Sequence, residues 1–260
     1  MKYLDPESIN QFSGILLEAD DRFSFRCHSG LSCFNQCCRN LNLFLYPYDV
    51  LRLKESLQIP SGQFLDHYVD VVLREGNFFP EVLLKMDQDE HRSCIFLSEQ
   101  GCSIYESRPH TCRLYPMEQG FFFDSKTNQA RLIHLFRPPA FCLGQYENQR
   151  LTPLDWMVDQ NAIVYSEMTS YWAGIKRLFQ IDPWGSEGPA GPKAKMAFMA
   201  VYNIDRFRDF IFNSSFLKRY RIKSSIIDRI RKNDVELMKF GCSWIKLYLW
   251  GIQTTGINLR

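Results

Sequence analysis

Residues 27–38 read CHSGLSCFNQCC, and residues 101–116 read GCSIYESRPHTCRLYP. Eight of the nine cysteines lie between residues 27 and 142, six of them in these two stretches. So many thiols in one half of a chain are typical of a site for zinc, copper(I) or an iron–sulfur cluster, because soft thiolates are the ligands that these centres take. The sequence therefore predicts a protein built around a metal.

Length and composition indicate how large a core the chain can bury and in which compartment we expect the protein. With 260 residues, 45% of them hydrophobic, the chain can bury one large core or two unequal domains. Its first residues, MKYLDPESIN, lack the basic start and the apolar run of a secretory signal. No stretch approaches the roughly 20 apolar residues that span a bilayer. We therefore expect a cytoplasmic protein without membrane contact, whose thiols stay reduced. The odd cysteine count and the adjacent pair Cys37–Cys38 also argue against a disulfide framework.

Charge is unevenly distributed along the chain. Residues 1–130 carry 12 Lys+Arg and 18 Asp+Glu, whereas residues 131–260 carry 19 and 11. The most basic stretch, KRYRIK at 218–223, could contact RNA or an acidic partner. Acidic residues close by and a net charge of only +2 favour a solvated surface instead. Nucleic acid is therefore disfavoured as a partner, and a protein partner is left open.

The pattern of short apolar runs and helix starts predicts an α+β fold. We expect the first half to be a loop-rich cysteine-cluster domain with short helices and a small antiparallel sheet, and the second half to be mainly helical. The first domain is placed at residues 1–145 and the helical region at 146–260, with a linker at about 182–193, which reads DPWGSEGPAGPK. The helices are predicted from Pro47 to Leu57, at Gln63–Leu73, from Thr152 to about Leu178, at Asp205–Asn213 and at Asp234–Trp250. The strands are predicted at Glu81–Lys85, Gly120–Asp124, Arg131–Phe136 and Met196–Tyr202, and the second and third of them are expected to pair through the turn-like sequence SKTN at 125–128.

The cysteine spacing narrows the type of metal site. The order is Cys-x5-Cys-x3-Cys-Cys, then Cys-x7-Cys-x9-Cys, then Cys142, without the Cys-x2-Cys pair of many zinc sites. Neighbouring residues do not easily aim both sulfurs at one ion in tetrahedral geometry. Cys37 and Cys38 are therefore interpreted as ligands of two adjacent metal centres or of two irons in one cluster. Alternatively, one of them binds metal and the other packs.

Side chains around the cysteines offer further candidates. Five arginines lie within four positions of a cysteine, and we expect two or three of them to stabilise thiolates by charge and hydrogen bonding. Three histidines near the clusters could each replace a sulfur, although a local structural role is the more frequent outcome. Tyr105 and Tyr115 are expected to keep water off the metal, and Cys242 to be a buried structural thiol. The arginines are Arg26, Arg39, Arg92, Arg108 and Arg113, and the histidines are His28, His91 and His110.

The order of the cysteine motifs resembles a known family. The motifs are the 101–116 stretch, Phe25-Arg26-Cys27, Cys33-x3-Cys37-Cys38, Cys94-Ile95-Phe96-Leu97 and Phe141-Cys142-Leu143-Gly144. Together they resemble the YkgJ family of cysteine-cluster proteins, a CxxxCxxCC-type zinc- or iron-chelating domain, closely over about residues 23–145 and weakly beyond. The chain departs from the family at Cys27 and Cys33, which five residues separate where the family has about two. The resemblance implies metal chelation by iron–sulfur cluster or zinc. A related cysteine pattern in flagellin lysine N-methylases makes an enzyme conceivable.

Three hypotheses about function follow. The first is a metal-binding protein that holds an iron–sulfur cluster or zinc in one or two centres. The second is an enzyme that uses such a cluster for redox or group-transfer chemistry on a protein side chain, and no acid–base constellation in the sequence supports it independently. The third is a structural zinc module that presents the basic half to a partner. The expected ligands are Cys33, Cys37, Cys38, Cys94, Cys102 and Cys112, with Cys27 and Cys142 as additions.

Overall fold

The computed structural model describes residues 2–4, 14–124 and 129–260. The chain forms two compact units, each built from two stretches. Unit 1 comprises Met1–Leu41 and Met86–Ser170, and unit 2 comprises Asn42–Lys85 and Tyr171–Arg260. Helices are combined with small sheets and predominate in the C-terminal half, so the predicted α+β class is confirmed. The predicted domain boundary near residue 145 stays a prediction.

Strands and helices are numbered in chain order. The strands are β1 Lys2–Leu4, β2 Ile15–Leu17, β3 Phe23–Ser24, β4 Phe44–Leu45, β5 Val69–Val72, β6 Glu81–Leu84, β7 Leu97–Ser98, β8 Gly101–Cys102, β9 Met117–Asp124, β10 Gln129–Phe136, β11 Arg150–Leu151, β12 Tyr220–Ile222 and β13 Ile257–Leu259. The helices are α1 Pro47–Ser56, α2 Ser61–His67, α3 His110–Leu114, α4 Pro153–Asp159, α5 Ile163–Lys176, α6 Pro192–Tyr202, α7 Ile204–Asn213, α8 Phe216–Arg219, α9 Ser224–Lys232 and α10 Asp234–Trp250. Among the described residues, no helix is both long and apolar enough to cross a membrane.

Unit 1 is organised by a four-stranded sheet in the order β1–β9–β10–β2. β1 runs parallel to β9, and the other two pairings are antiparallel. β9 and β10 form the predicted strand pair, whose connection at residues 125–128 lies outside the described residues. Because alternate residues of a strand face the same side, Met117 and Phe121 are both buried. One buried cluster in this unit comprises Leu17, Phe23, Phe25, Leu114, Met117, Phe136, Cys142, Trp156 and Ala162.

Helix α4 begins where the sequence predicted it. The Thr152 hydroxyl accepts the Asp155 N–H at 3.1 Å, and the Asp155 carboxylate accepts the Thr152 N–H at 2.9 Å. This reciprocal pair satisfies two N–H groups that the first turn leaves unbonded. Asn161 then takes a positive φ of 50°, which ends the helical path before α5 starts at Ile163. The single helix predicted from Thr152 to about Leu178 is therefore two helices.

Unit 2 joins a three-stranded antiparallel sheet, β4–β6–β5, to helices. The helix predicted at Gln63–Leu73 ends early, because Val69–Val72 forms β5 and its β-branched side chains favour a strand. The strand predicted at Met196–Tyr202 is wrong, because these residues lie in α6. There Ala197 and Val201, four positions apart, are both fully buried on one helix face.

The interior of unit 2 is rich in aromatic side chains. On α10, Trp244 lies 5.5 Å from Phe207 and 5.6 Å from Phe216 between ring centroids. A Cβ atom on Gly241 would lie 2.0 Å from the Ala200 carbonyl oxygen, so α10 and α6 are in close backbone contact. The apolar surface that these side chains bury, together with their close packing, supplies most of the folding free energy of a helical unit.

A partly buried cluster of three charged side chains also lies in unit 2. Lys54, 8% exposed, approaches Asp205 at 3.1 Å and Asp234 at 2.7 Å. It links α1 with α7 and α10. The stretch 182–193, predicted as a linker, also falls within unit 2, where the indole N–H of Trp184 donates to the Phe78 carbonyl at 2.6 Å.

Candidate metal centre

The first cysteine segment starts from a fixed strand. β3 pairs with β11, and the next residue, Phe25, is buried. Asn35 has a φ of 63° and precedes a 3₁₀ turn at Gln36–Cys38, which carries both adjacent thiols. Cys27 is exposed, Cys33 is buried, and Cys37 and Cys38 are half-buried. The segment therefore presents four thiols at different depths.

Cys94 lies alongside Cys38. Its N–H donates to the Cys38 carbonyl oxygen at 2.8 Å. The neighbouring residues Arg39 and Ser93 form an antiparallel bridge. This short backbone contact joins the two cysteine-bearing stretches and sets Cys94 next to the adjacent pair.

Cys102 is carried by a tight hairpin. β7 and β8 pair Leu97 with Cys102, and β8 starts at Gly101 with a φ of 113°, which glycine adopts without strain. The backbone N–H and the hydroxyl of Ser103 both donate to the Phe96 carbonyl, at 2.9 and 3.0 Å. These bonds hold the half-buried Cys102 thiol in place.

The Arg-Pro-x-x-Cys-Arg motif fixes the turn around Cys112, which lies within α3. Arg113 is 2% exposed and donates to the carbonyl oxygens of Glu106, Arg108 and Gln160. The Arg108 guanidinium donates to the Gln160 side chain at 2.7 Å. Sequence reasoning missed Gln160, which lies 47 residues after Arg113 and belongs to no motif.

Cys142 is tied to the first segment by the residues that follow it. The Leu143 N–H donates to the Cys33 sulfur at 3.2 Å. The Gly144 carbonyl accepts the Arg26 N–H at 3.0 Å, and a Cβ on Gly144 would lie 2.6 Å from the Arg26 carbonyl oxygen. Only glycine permits this approach. The Cys-Leu-Gly sequence therefore brings Cys142 to the first cysteine segment.

All eight candidate ligands interact electrostatically within unit 1. The interacting thiols are Cys27 with Cys33, Cys38 and Cys142; Cys37 with Cys27, Cys38 and Cys112; Cys38 with Cys94 and Cys102; Cys94 with Cys102; and Cys142 with Cys33. None of the nine cysteines, all of which the structure describes, forms a disulfide. The ninth, Cys242, lies in unit 2 and is buried. The structure thus brings the eight together, while their role as ligands stays a prediction.

Burial and mutual repulsion keep most of these sulfurs protonated. Burial raises the pKa of Cys94 to about 11, and neighbouring thiols add to the increase. Burial likewise raises the pKa of Cys27, Cys102 and Cys142. Because the thiolate is the form that binds metal, a cation bound here must displace protons.

The adjacent thiols of Cys37 and Cys38 have different pKa values. Its shared hydrogen bond raises the pKa of Cys37 and lowers the pKa of Cys38 to about 7. The charge of Arg39 also lowers the pKa of Cys38, against the effect of burial. Cys38 is therefore the thiol of this pair that loses its proton first.

Backbone N–H groups interact with three of the sulfurs. Burial raises the pKa of Cys94, Cys102 and Cys142, and in each case the N–H two positions later lowers it. The donors are Phe96, Ile104 and Gly144. Such N–H groups stabilise a thiolate without taking up a coordination position. This repeated arrangement was not visible in the sequence.

Two of the five candidate arginines act on a thiol. Arg39 lowers the pKa of Cys38 after its hydrogen bond with Cys37, and Arg108 lowers the pKa of Cys102 against the larger effect of burial. Arg113 instead binds backbone carbonyls.

The candidate histidines have other surroundings. The His28 ring accepts the Gly30 N–H at 3.2 Å and lies 3.8 Å from Glu147. His91 is exposed. Burial lowers the pKa of His110 to about 3, so this side chain is neutral.

Among the described residues, no three His, Cys, Asp or Glu side chains are close enough together to hold a metal ion. The donor set nevertheless fits a soft metal in chemistry and in number, since eight thiols interact and several of their sulfurs face N–H donors. The sulfurs lie in the same region of unit 1. They must move closer together to reach the distances at which thiolates bind a metal ion.

Comparison with known families agrees with this chemistry. Residues 26–132 match the CxxCxxCC family model, described as "Putative zinc- or iron-chelating domain". The match covers less than half of the chain and contains seven of the eight candidate cysteines, with Cys142 beyond its end. The predicted resemblance to a cysteine-cluster family is thereby confirmed over this stretch. No curated protein and no solved structure gives a significant match.

Proposed function

Since residues 26–132 carry a domain described as zinc- or iron-chelating, we propose that this protein binds iron, as an iron–sulfur cluster, or zinc through eight thiolates. The observation that carries the proposal is the meeting of thiols from separate segments of unit 1 in one electrostatic network. Thiolates gathered in this way repel one another, and a soft cation removes that repulsion.

The number of thiols favours two centres. Eight is twice the number of sulfur ligands that one zinc ion or one four-iron cluster takes from a protein. The interacting sulfurs form two groups, which are linked by the interactions of Cys38 with Cys37 and with Cys27. One group is Cys38, Cys94 and Cys102, and the other is Cys27, Cys33, Cys37, Cys112 and Cys142. In this proposal Cys37 and Cys38 each belong to a different centre.

The protein's own groups prepare the site. A bound metal supplies folding free energy and, if it is iron, one-electron redox capacity. The N–H groups that face Cys94, Cys102 and Cys142 stabilise negative charge on sulfur. Burial of Cys33 and Cys142 keeps water away, whereas Cys27 is exposed and leaves one side of the cluster open to solvent.

Metal analysis of protein purified without oxygen tests the proposal. Iron with acid-labile sulfide and broad visible absorption would identify an iron–sulfur cluster, and a colourless protein with about two zinc ions would identify zinc sites. The Cys242→Ala variant is the matched control and should retain the metal. A wild-type protein that holds no metal, and takes up neither zinc nor iron with sulfide after reduction, would refute the proposal.

The two-centre arrangement has its own test. Cys37→Ser and Cys38→Ser should each lower the metal content by about half, and the double variant should lose nearly all of it. Loss of all metal from either single variant would mean that both thiols serve one centre. Full metal content in one single variant would mean that its thiol only packs.

A further inference from the structure

The Tyr115 side chain ends in a buried hydroxyl group next to the cysteine cluster. Within the described part of the chain, this oxygen has no hydrogen-bond partner of normal geometry. Burial raises the pKa of Tyr115, and the nearby Cys142 thiol raises it further through its charge and a side-chain hydrogen bond, with smaller effects of Cys37 and Cys33. Three sulfurs from two separate segments therefore lie near enough to this tyrosine to act on it by charge.

The position of the Tyr115 ring is fixed by the elements around it. Tyr115 follows α3, where its N–H donates to the Thr111 carbonyl at 3.1 Å. The preceding carbonyl, that of Leu114, accepts the indole N–H of Trp156 at 3.0 Å. The ring itself packs against the buried cluster that contains Phe25 and Cys142. It cannot turn its hydroxyl into solvent without breaking this packing.

A buried hydroxyl without a well-aligned acceptor is unfavourable, and a sulfur in its thiolate form is a good acceptor for it. Burial raises the pKa of Cys142, whereas the Tyr115 hydroxyl and the backbone N–H groups of Gly144 and Gln145 lower it, so the hydroxyl is one of several donors that act on this sulfur. On the basis of the proposed function, we infer that Tyr115 donates a hydrogen bond to the Cys142 thiolate of the metal-loaded protein. Tyr115 is then a positioning residue for this ligand and tunes its electron density.

The test compares two Tyr→Phe variants of the full chain. Tyr115→Phe removes the buried hydroxyl and keeps the ring. Tyr105→Phe is the matched control, because Tyr105 is 54% exposed and its ring stacks under the Arg108 guanidinium at 3.8 Å. Reduced wild-type and variant proteins are titrated with Co²⁺, and their Zn²⁺ affinity is measured by competition with a chromophoric chelator.

The expected result is specific to Tyr115→Phe. Loss of the hydrogen bond raises the energy of the sulfur lone pairs, so the sulfur-to-cobalt charge-transfer band should shift to longer wavelength. Zn²⁺ affinity should fall about tenfold, as for other partners of metal ligands. Tyr105→Phe should match the wild type in both measurements. A Tyr115→Phe band and affinity equal to those of the wild type would overturn the inference.

A second pair of variants separates the hydrogen bond from a packing defect. In a Cys142→Ser background, Tyr115→Phe should cause no further band shift, because the acceptor sulfur is already gone. The same shift or metal loss in both backgrounds would overturn the inference and leave the proposed function intact. If wild-type protein binds neither Co²⁺ nor Zn²⁺ nor iron with sulfide, the proposed function fails, and the inference fails with it.

Discussion

Two buried cysteines, one in each unit, differ in what surrounds them. Cys142 in unit 1 is 5% exposed, with a tyrosine hydroxyl, backbone N–H groups and another thiol nearby. Cys242 in unit 2 is 1% exposed and lies within α10. Burial raises the pKa of Cys242 to about 12, and no other thiol contributes to that increase. Burial alone therefore does not mark a ligand; the meeting of several thiols with N–H donors does.

The two units also differ in the elements that build them and in what stabilises them. Around the cysteines, unit 1 consists of two-residue strands, a 3₁₀ turn and the five-residue helix α3. Unit 2 packs long helices through aromatic side chains such as Trp244 and Phe207. Short elements bury little apolar area per residue, so we expect the cysteine region to rely on metal binding for its stability and unit 2 to rely on packing.

The largest effect is expected from removing a cluster thiol. Cys102→Ser should abolish binding at its centre and remove about 4 kcal/mol of stabilisation when free metal exceeds its Kd about 1,000-fold. Cys242→Ala should cost only about 1 kcal/mol and leave the metal in place. Metal analysis and thermal unfolding of both variants check this. If Cys102→Ser keeps full metal content and the wild-type Tm, the ligand assignment is wrong.

Metal removal should accelerate amide hydrogen exchange in unit 1 much more than in unit 2. A chelator should accelerate amide exchange at residues 33–40 and 93–114 by several orders of magnitude, because these backbone bonds lose their metal support. Amides of α6 and α10 should change little. Mass spectrometry of peptides with and without chelator measures both sets. Equal acceleration in α10 would show that the stability of unit 2 also depends on the metal.

Two glycine substitutions should have different consequences. Gly144→Ala places a Cβ 2.6 Å from the Arg26 carbonyl and should weaken metal binding as well as stability. Gly241→Ala places a Cβ 2.0 Å from the Ala200 carbonyl and should destabilise unit 2 without changing metal affinity. Overpacking of this kind costs about 1–3 kcal/mol. Urea unfolding and zinc titration distinguish the two; equal metal affinity in both variants would contradict the role given to Gly144.

The smallest expected effect concerns acid sensitivity in unit 1. Burial lowers the pKa of His134, which is 8% exposed, below its ordinary value of 6.5. As pH falls below about 6.5, the imidazole of His134 binds a proton in the unfolded chain but not in the folded protein. The free energy of unfolding therefore decreases with falling pH. His134→Gln should remove at most about 2 kcal/mol of this loss at pH 5.

Urea unfolding of metal-saturated wild type and His134→Gln at pH 7.5 and pH 5 measures this difference. The Asp205 carboxylate in unit 2 provides the contrast. Burial opposes its ionisation, but the Ser61 N–H and Lys54 together lower the pKa of Asp205 below 3.8. Its contribution is therefore lost only below that pH. An identical pH dependence for His134→Gln and wild type would show that His134 contributes nothing.

Features carried by local patterns could be predicted from the sequence. The crowded cysteines indicated where thiols would meet, and two short apolar runs separated by the turn-like sequence SKTN predicted the pair β9 and β10. The Thr152-Pro153-Leu154-Asp155 pattern predicted the start of α4. In each case the neighbours in the chain are also the neighbours that form the structure.

Features that depend on distant residues could not be predicted. The apolar run at Met196–Tyr202 fits a strand or a buried helix equally well by itself, and the close contact of α6 with α10, at Ala200 and Gly241, favours the helix. The contact of Arg113 with Gln160 and the N–H groups that face the sulfurs depend on how separate loops meet. No single stretch of sequence predicts these contacts.

Alternation of the two units along the chain has a consequence for synthesis. Every cluster cysteine has been translated by residue 142, whereas unit 2 still needs Tyr171–Arg260. At about 5–20 residues per second, the ribosome requires on the order of ten seconds to supply that stretch. Throughout this interval Asn42–Lys85, whose Leu53 and Phe64 become fully buried, lacks the rest of its unit. The nascent chain therefore has all eight candidate ligands while it still exposes a hydrophobic segment that a chaperone can bind.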